Sequence, residues 1–286
     1  MKHAILITAY KDLFFIKKII DYFDEDFVFF IHIDKKCMEN HLFLTQCKNV
    51  YLYKKYKVEW GGSNHLLAIN YLIIKAIKLQ KFDFYHLITG SDYPIKSLAN
   101  FKLYFEEHSD ENFIEFFSIP HENWIPEKGI DRLKYYWIGN NIFDIRNKHS
   151  FIITYLLKIQ RKTGVNRKFK YFNGNLFGGG TYWSLSKNAI DEIIPYISNK
   201  KFMRSFNYSH CAEELFFQTI LMNNHSVKCI NNSLRFMIWE DQASSPKTLD
   251  ENDLSLILSS DAFFGRKFNP EYSTKLKKLI DSKIIQ

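Results

Sequence analysis

The chain has 286 residues, enough for one large α/β domain or two small ones, and 46% of them are hydrophobic, as in a globular protein with a substantial core. Aromatic residues reach 17%, with 27 Phe and 17 Tyr, which suits flat amphipathic ligands such as sugars and bases but also simply fills cores. The net charge of +8 favours anionic partners, and no run approaches the roughly 18 to 20 apolar residues needed to cross a bilayer, so a disordered chain and a helical membrane span are both excluded.

At the N-terminus Met1-Lys2-His3 runs directly into Ala4-Ile5-Leu6-Ile7, too short a run for a leader and without a small-residue cleavage site. Ala4 to Ala9 reads as a buried strand, Leu13 to Phe23 as a helix, and Phe27 to Ile33 as a second strand rich in β-formers. Val50 to Tyr53 is a third. A helix follows with Ser63 as N-cap and Leu66, Ile69, Ile73, Ala76 and Ile77 on one face. Phe84 to Thr89 and Asn112 to Phe117 read as the fourth and fifth strands. This alternation predicts an α/β fold, a mostly parallel central sheet flanked by helices, with its ligand beyond the carboxyl ends of the strands.

From about 120 to 175 the pattern is less regular. Phe151 to Leu157, followed by Lys158, Arg161 and Lys162, is a basic amphipathic helix that either packs on its own domain or rests on a membrane surface. Thr181 to Leu185 reads as a strand, Glu213 to Met222 as a helix and Leu234 to Trp239 as a further strand. Lys275, Lys277, Lys278 and Lys283 place part of the positive charge on a solvated terminal helix. Cys37, Cys47, Cys211 and Cys229 show neither C-x-x-C nor zinc-ligand spacing, as expected of reduced thiols in a cytosolic protein.

Three strand ends carry candidate chemistry. His32-Ile33-Asp34-Lys35-Lys36 offers a carboxylate that could accept hydrogen bonds from a ribose or a uracil, or serve as a turn residue. Thr89-Gly90-Ser91-Asp92-Tyr93-Pro94 allows close backbone approach to a ligand, though it makes a tight turn in any case. Glu59-Trp60-Gly61-Gly62-Ser63 opens a helix whose amides could face a phosphate, but it is neither a P-loop nor G-x-G-x-x-G. Later, Glu213-Glu214 opens a helix with a possible general base, or with acids that simply favour the helix dipole. Phe263-Phe264-Gly265-Arg266-Lys267-Phe268 sets two cations among aromatics, where a phosphate could meet them.

The segments Val28 to Lys36, Trp60 to Ser63, His86 to Pro94, Gly178 to Ser186, Glu213 to Thr219 and Phe263 to Phe268 occur in the order seen in the core 2/I-branching N-acetylglucosaminyltransferases. The order is similar in the peptide O-xylosyltransferases, and the resemblance covers roughly residues 3 to 270. It implies a GT-A-type glycosyltransferase fold in a single domain, 1–118 forming the nucleotide-sugar half and 119–286 the acceptor-binding and catalytic half.

The resemblance further implies inverting transfer from a UDP-sugar, N-acetylglucosamine first and xylose or another sugar otherwise. Glu214 matches the base, five residues ahead of Thr219, with Glu213 in support on the acceptor side. Arg235 and Lys267 match a basic pair that takes the place of a metal, so no metal or other cofactor is expected. The only Asp-x-Asp, Asp24-Glu25-Asp26, precedes its strand and so stands at the wrong end for a ligand. Thr8, Asp34, Trp60, Gly61, Asp92 and Arg266 fall on the nucleotide-sugar side, as do His3 and Tyr10. Glu115 and Trp183 fall on the acceptor side.

The animal enzymes carry an anchor, a stem and disulfides that this sequence does not show. A cytoplasmic relative is therefore expected, free or peripheral on the inner membrane face. Its acceptor would be a glycan or glycolipid in surface-polysaccharide or glycoconjugate synthesis, and the 120–175 stretch would encode acceptor choice. A nucleic-acid-binding protein would need a continuous basic face, and the lysines here are scattered. A glycoside hydrolase needs carboxylates flanking a sugar, whereas Glu213 and Glu214 on a helix point roughly 100° apart. A catalytically inactive sugar-binding relative is the remaining alternative, against which stand Glu214, Arg235 and Lys267.

Overall fold

The computed structural model describes residues 1–146, 150–167, 169, 172–241, 243 and 245–284. Within the 120–175 stretch, positions 147–149, 168, 170 and 171 therefore lie outside the described residues.

The first half runs β1 (His3–Ala9), α1 (Leu13–Tyr22), β2 (Phe27–Ile33), β3 (Val50–Tyr53), α2 (Asn64–Leu79), β4 (Phe84–Thr89), β5 (Asp92–Pro94), α3 (Leu98–Glu107) and β6 (Glu111–Ile114). There follow β7 (Phe117–Ser118), α4 (Asp131–Lys134), α5 (Ser150–Lys162), β8 (Phe177–Gly178), β9 (Trp183–Ser186), α6 (Lys187–Ser198) and α7 (Lys200–Arg204). The chain continues with α8 (Glu213–Met222), β10 (Lys228–Ile230), β11 (Arg235–Met237), α9 (Leu254–Ser259), β12 (Phe264–Arg266) and α10 (Thr274–Lys283).

The central sheet has seven strands in the order β10-β6-β9-β4-β1-β2-β3. Only β9 runs against the others, pairing antiparallel with both β4 and β6. The expected mostly parallel α/β sheet is therefore present. Its central strands β1, β2 and β4 are apolar on both faces because helices cover both. Ile5 and Ile7 of β1 pack with Leu13, Ile16 and Ile19 of α1 and with Phe101 and Phe105 of α3. Ala4 and Leu6 point the other way, into a cluster with Leu66, Ile69 and Ile73 of α2 and Leu215 and Phe216 of α8. No helix among the described residues is long and apolar enough to cross a membrane.

Two local expectations are corrected. Ser63 precedes α2 but makes no capping bond; instead Asn64 N donates to Oδ1 of Asn141, whose Nδ2 donates to Ser63 Oγ, both at 3.0 Å. The start of α2 is thus capped from the 139–146 loop. The fifth strand stops at Ile114 rather than Phe117, because Asn231 satisfies both backbone groups of Phe116 with its side-chain amide, at 2.8 and 3.0 Å. Beyond that break Phe117 and Ser118 pair with β8 in a separate ribbon.

A parallel sheet gathers the ends of its strands on one edge. Tyr10, Asp34, Gly90 and Glu115 follow β1, β2, β4 and β6 there, and the reversed β9 begins there, so Tyr182 joins them. A second sheet, β11-β12-β5, lies above this edge; in its register Arg266 faces Asp92.

Candidate active site

α8 begins at the sheet edge, and its 3.6-residue period sends its two leading carboxylates apart. Glu213 is buried, and its Oε1 lies 3.0 Å from Nδ1 of His65 in the first turn of α2. Nε2 of His65 lies 3.1 Å from Oγ1 of Thr8, so a polar chain connects β1, α2 and α8. Burial acts most strongly and raises the Glu213 carboxyl, but the facing His65 ring, a backbone hydrogen bond and His210 together outweigh it and the net direction is downward. Oε2 of Glu213 is buried without a hydrogen-bond partner among the described residues, an arrangement that costs about 1–3 kcal/mol.

Glu214 is partly exposed and accepts from Arg132 Nη1 at 2.5 Å. Burial pushes its carboxyl above the ordinary range; Arg132 pulls it down and the neighbouring Glu213 charge adds to the rise. The guanidinium of Arg132 lies 3.5 Å from the centroid of the Trp124 ring, stacked on it. The Thr219 hydroxyl, five residues after Glu214, donates to Phe177 O at 3.0 Å and accepts from Phe177 N at 3.2 Å, binding β8 to α8.

Glycines fix the acceptor side. A Cβ on Gly179 would fall 1.9 Å from Glu115 O, and Gly179 N donates to Glu214 O at 3.0 Å. Glu115 is exposed at the mouth of the cleft and its Oε2 packs on Gly180. Trp183 does not face a sugar: at 0% exposure it packs on Phe217 within the core. The adjacent residue, Tyr182, turns to the cleft instead, with the Arg266 guanidinium 4.8 Å over its ring. Burial raises the Tyr182 hydroxyl, with Arg266 acting to lower it and Asp92 and Glu214 to raise it, so the ring lies within reach of both signs of charge.

The cations divide into two kinds. Arg235 is 8% exposed and turned into the sheet, where its Nη1 donates to Ser233 O at 2.6 Å and Ser184 Oγ at 3.3 Å. Its Nη2 donates to Leu87 O at 3.1 Å and Trp183 O at 3.0 Å. Leu87 and Trp183 are register partners, so Arg235 clamps the end of the β4–β9 ladder, and burial lowers its pKa to about 10. Lys267 is half-buried and its amine makes no ion pair or hydrogen bond among the described residues. Burial and the charges of Arg266, Lys11 and Arg146 all press its pKa downward, so Lys267 belongs to a cluster of positive charge. Arg146 extends from the 139–146 loop over the Trp60 ring at 5.2 Å.

Asp92 is likewise corrected. It is 0% exposed, its Oδ2 accepting from Thr89 N and its Oδ1 from Arg266 Nη1 at 3.1 Å, so it acts on the cleft through Arg266. Asp34 is buried and its oxygens accept from Lys36 N at 2.8 Å and Val58 N at 3.2 Å. Gly61 is a packing glycine, not a phosphate-facing one: its φ is +76° and a Cβ there would strike His210 Cε1 at 2.4 Å. His3 lies in the core beside His86, while Tyr10 is exposed at the cleft.

One group among the described residues, Cys211, Glu213 and Glu214, sets three potential ligand atoms within 4.8 Å of one another. It fits a divalent cation poorly, since burial drives the Cys211 thiol well up and Arg132 holds Glu214. Asp24 and Asp26 are bound by Lys102, and Asp26 by Lys2 as well, below the opposite end of β2. Sequence reasoning missed His65, Arg132, Arg146 and Tyr182; the Gly178-Gly179-Gly180 run was the one local sign that chain segments meet closely here.

The profile of the Core-2/I-Branching enzyme matches residues 4–258, a span that ends before β12 and so leaves Arg266 and Lys267 outside it. Xylosyltransferase 2 of Mus musculus is 19% identical over 288 residues, covering 91% of this chain and 30% of that protein. Xylosyltransferase 1 of Mus musculus is 22% identical over 228 residues, 76% of this chain and 22% of that one. The chain thus spans less than a third of the length of these relatives. The solved structure of mouse xyloside xylosyltransferase 1 in its apo form aligns with a TM-score of 0.41 at 9% identity, over 92% of this chain and 96% of that one. With more than half of its length matched, the chain belongs to the Core-2/I-Branching enzyme family, a family of glycosyltransferases.

Proposed function

We propose that the chain is an inverting glycosyltransferase that moves a sugar from a UDP-sugar to a hydroxyl of a glycan or lipid-linked acceptor, without a metal. Glu214 takes the proton of the acceptor hydroxyl as that oxygen bonds the anomeric carbon; the bond to the diphosphate breaks with its electron pair leaving on UDP. Inversion follows from this in-line displacement. Lys267, with Arg266, Lys11 and Arg146 around it, meets the charge that grows on the diphosphate. Arg235, the other half of the expected basic pair, supports this cluster by holding the sheet beneath it. Thr8 and Asp34 shape the uridine end, and Glu115 and Glu213 the acceptor end.

The observation that carries this reading is Tyr182, whose ring lies 4.8 Å under the Arg266 guanidinium and whose hydroxyl feels the charge of Glu214 as well, so a proton acceptor and a cation stand near one ring. The Asp24–Asp26 pair, neutralised by lysines away from this edge, supports metal-independence. UDP release over a panel that begins with UDP-N-acetylglucosamine and UDP-xylose, in EDTA, tests it with wild type and Glu214→Gln. Turnover in EDTA, lost in the variant, is expected. A strict need for Mn²⁺, or activity that survives loss of Glu214, overturns the assignment.

A further inference from the structure

α5 has two unlike faces. Ile153 and Leu157 turn inward onto Tyr135 and Trp137, and Gln160 exchanges two 2.8 Å hydrogen bonds with the Tyr136 backbone. On the other side Phe151, Tyr155 and Ile159, at i, i+4 and i+8, form a stripe that is 65, 63 and 41% exposed. Ile152 lies beside it at 37%, and a shallow groove along the stripe is lined by Phe151, Tyr155 and Lys158 among others. In the neighbouring segment Tyr136 and Ile138 alternate with the buried Tyr135 and Trp137 and are 42 and 48% exposed. A stripe of exposed aromatic and aliphatic side chains along one helix face marks an interaction face.

Charge identifies what covers it. α5 contains no Asp or Glu. On a helical wheel Lys158 and Lys162 fall about 20° to either side of Phe151, so cations run along the stripe. Both are exposed, and neither forms an ion pair among the described residues. Arg161, on the flank, is paired with Glu127 at 2.9 Å. Large aromatic and aliphatic side chains interleaved with unpaired lysines on a helix of only 13 residues match the water–lipid boundary of an anionic bilayer.

We propose that this face docks the protein peripherally on an anionic lipid surface. The placement has a consequence for the transfer reaction. Glu127, held by Arg161, lies in the loop that leads to Arg132 and the base, and the 135–146 segment against α5 carries Arg146 to the cation cluster. A docked α5 therefore holds the protein at the bilayer, where a lipid-linked acceptor is presented; this clause rests on the transferase reading above.

Sedimentation of the full chain with phosphatidylglycerol-containing vesicles, and with pure phosphatidylcholine vesicles, tests the proposal. Binding to the anionic vesicles alone, weakened by salt, is expected, and F151S/Y155S or K158E/K162E lowers it about tenfold or more. The same variants keep wild-type UDP release with a soluble acceptor. No binding to anionic vesicles at low salt overturns the proposal, as does binding that both double variants retain. If wild type is instead a dimer that F151S/Y155S converts to a monomer, and vesicles stay unbound, a second copy covers the face and the lipid proposal fails. Loss of UDP release in wild type would sink the transferase reading while leaving the vesicle result readable.

Discussion

Arg132 and Glu214, 82 positions apart in the chain, meet at 2.5 Å in the cleft, so the carboxylate proposed as base is held by a cation before any substrate arrives. Burial alone would leave Glu214 protonated over too wide a range for a base, and Arg132 opposes that. Replacing Arg132 by Met removes the opposing charge and raises the Glu214 pKa further. The acid limb of the kcat/KM–pH profile should move to higher pH. A limb that stays in place would show that Arg132 does not set the protonation of Glu214.

Arg235 and Lys267 should separate cleanly. Arg235→Ala strips four hydrogen bonds from buried partners and should cost about 3 kcal/mol or more, seen as a lower urea midpoint. Lys267→Ala should leave the midpoint within about 0.5 kcal/mol of wild type and cut kcat by about 100-fold. Equal stability losses in the two variants would remove the distinction between a sheet clamp and a leaving-group cation.

Acid should destabilise the fold through its buried imidazoles. His3 and His32 are each 1% exposed, and burial pushes both pKa values down to about 4 from 6.5. The unfolded chain then binds a proton at each ring near pH 6.5, the folded chain only near pH 4. Stability from these rings is therefore complete above pH 6.5 and is lost as the pH falls toward 4, on the order of 3 kcal/mol for each. Urea midpoints measured across this interval should fall steadily; a flat profile would mean that the rings are protonated in the folded chain.

The sequence disclosed the parallel half of the sheet because β1, β2 and β4 are apolar on both faces, a pattern that few other settings produce. It could not disclose that β9 is reversed, since a four-residue strand buried along its whole length reads alike in either direction. Glu213 and Glu214 were separable from helix geometry alone. Leu234-Arg235-Phe236 was not: an arginine between two apolar residues looks the same whether it faces a ligand or the carbonyls of a neighbouring ladder. Trp183 misled for a related reason: β9 is buried throughout, and it is Tyr182, just before the strand and half-buried, that meets Arg266. Arg132, His65 and Arg146 left no local trace because each acts on a partner brought near only by the fold.

Gly179 tests how closely the acceptor side is built. Its missing side chain lets Glu115 O approach to where a Cβ would lie 1.9 Å away, and its amide is bonded to Glu214 O. Because the obstructing atom is backbone, Gly179→Ala cannot be relieved by a rotamer change. The strand end at Glu115 and the first turn of α8 must then part. Stability should fall by about 2 kcal/mol or more, and kcat should fall further than the remaining folded fraction explains, because Glu214 moves with its carbonyl. Gly164→Ala is the control: with nothing within 4 Å of its Cβ position but φ at +68°, it should cost only about 1 kcal/mol and leave kcat unchanged. Equal effects of the two substitutions on kcat would show that the contact between Gly179 and Glu214 does not hold the base in place.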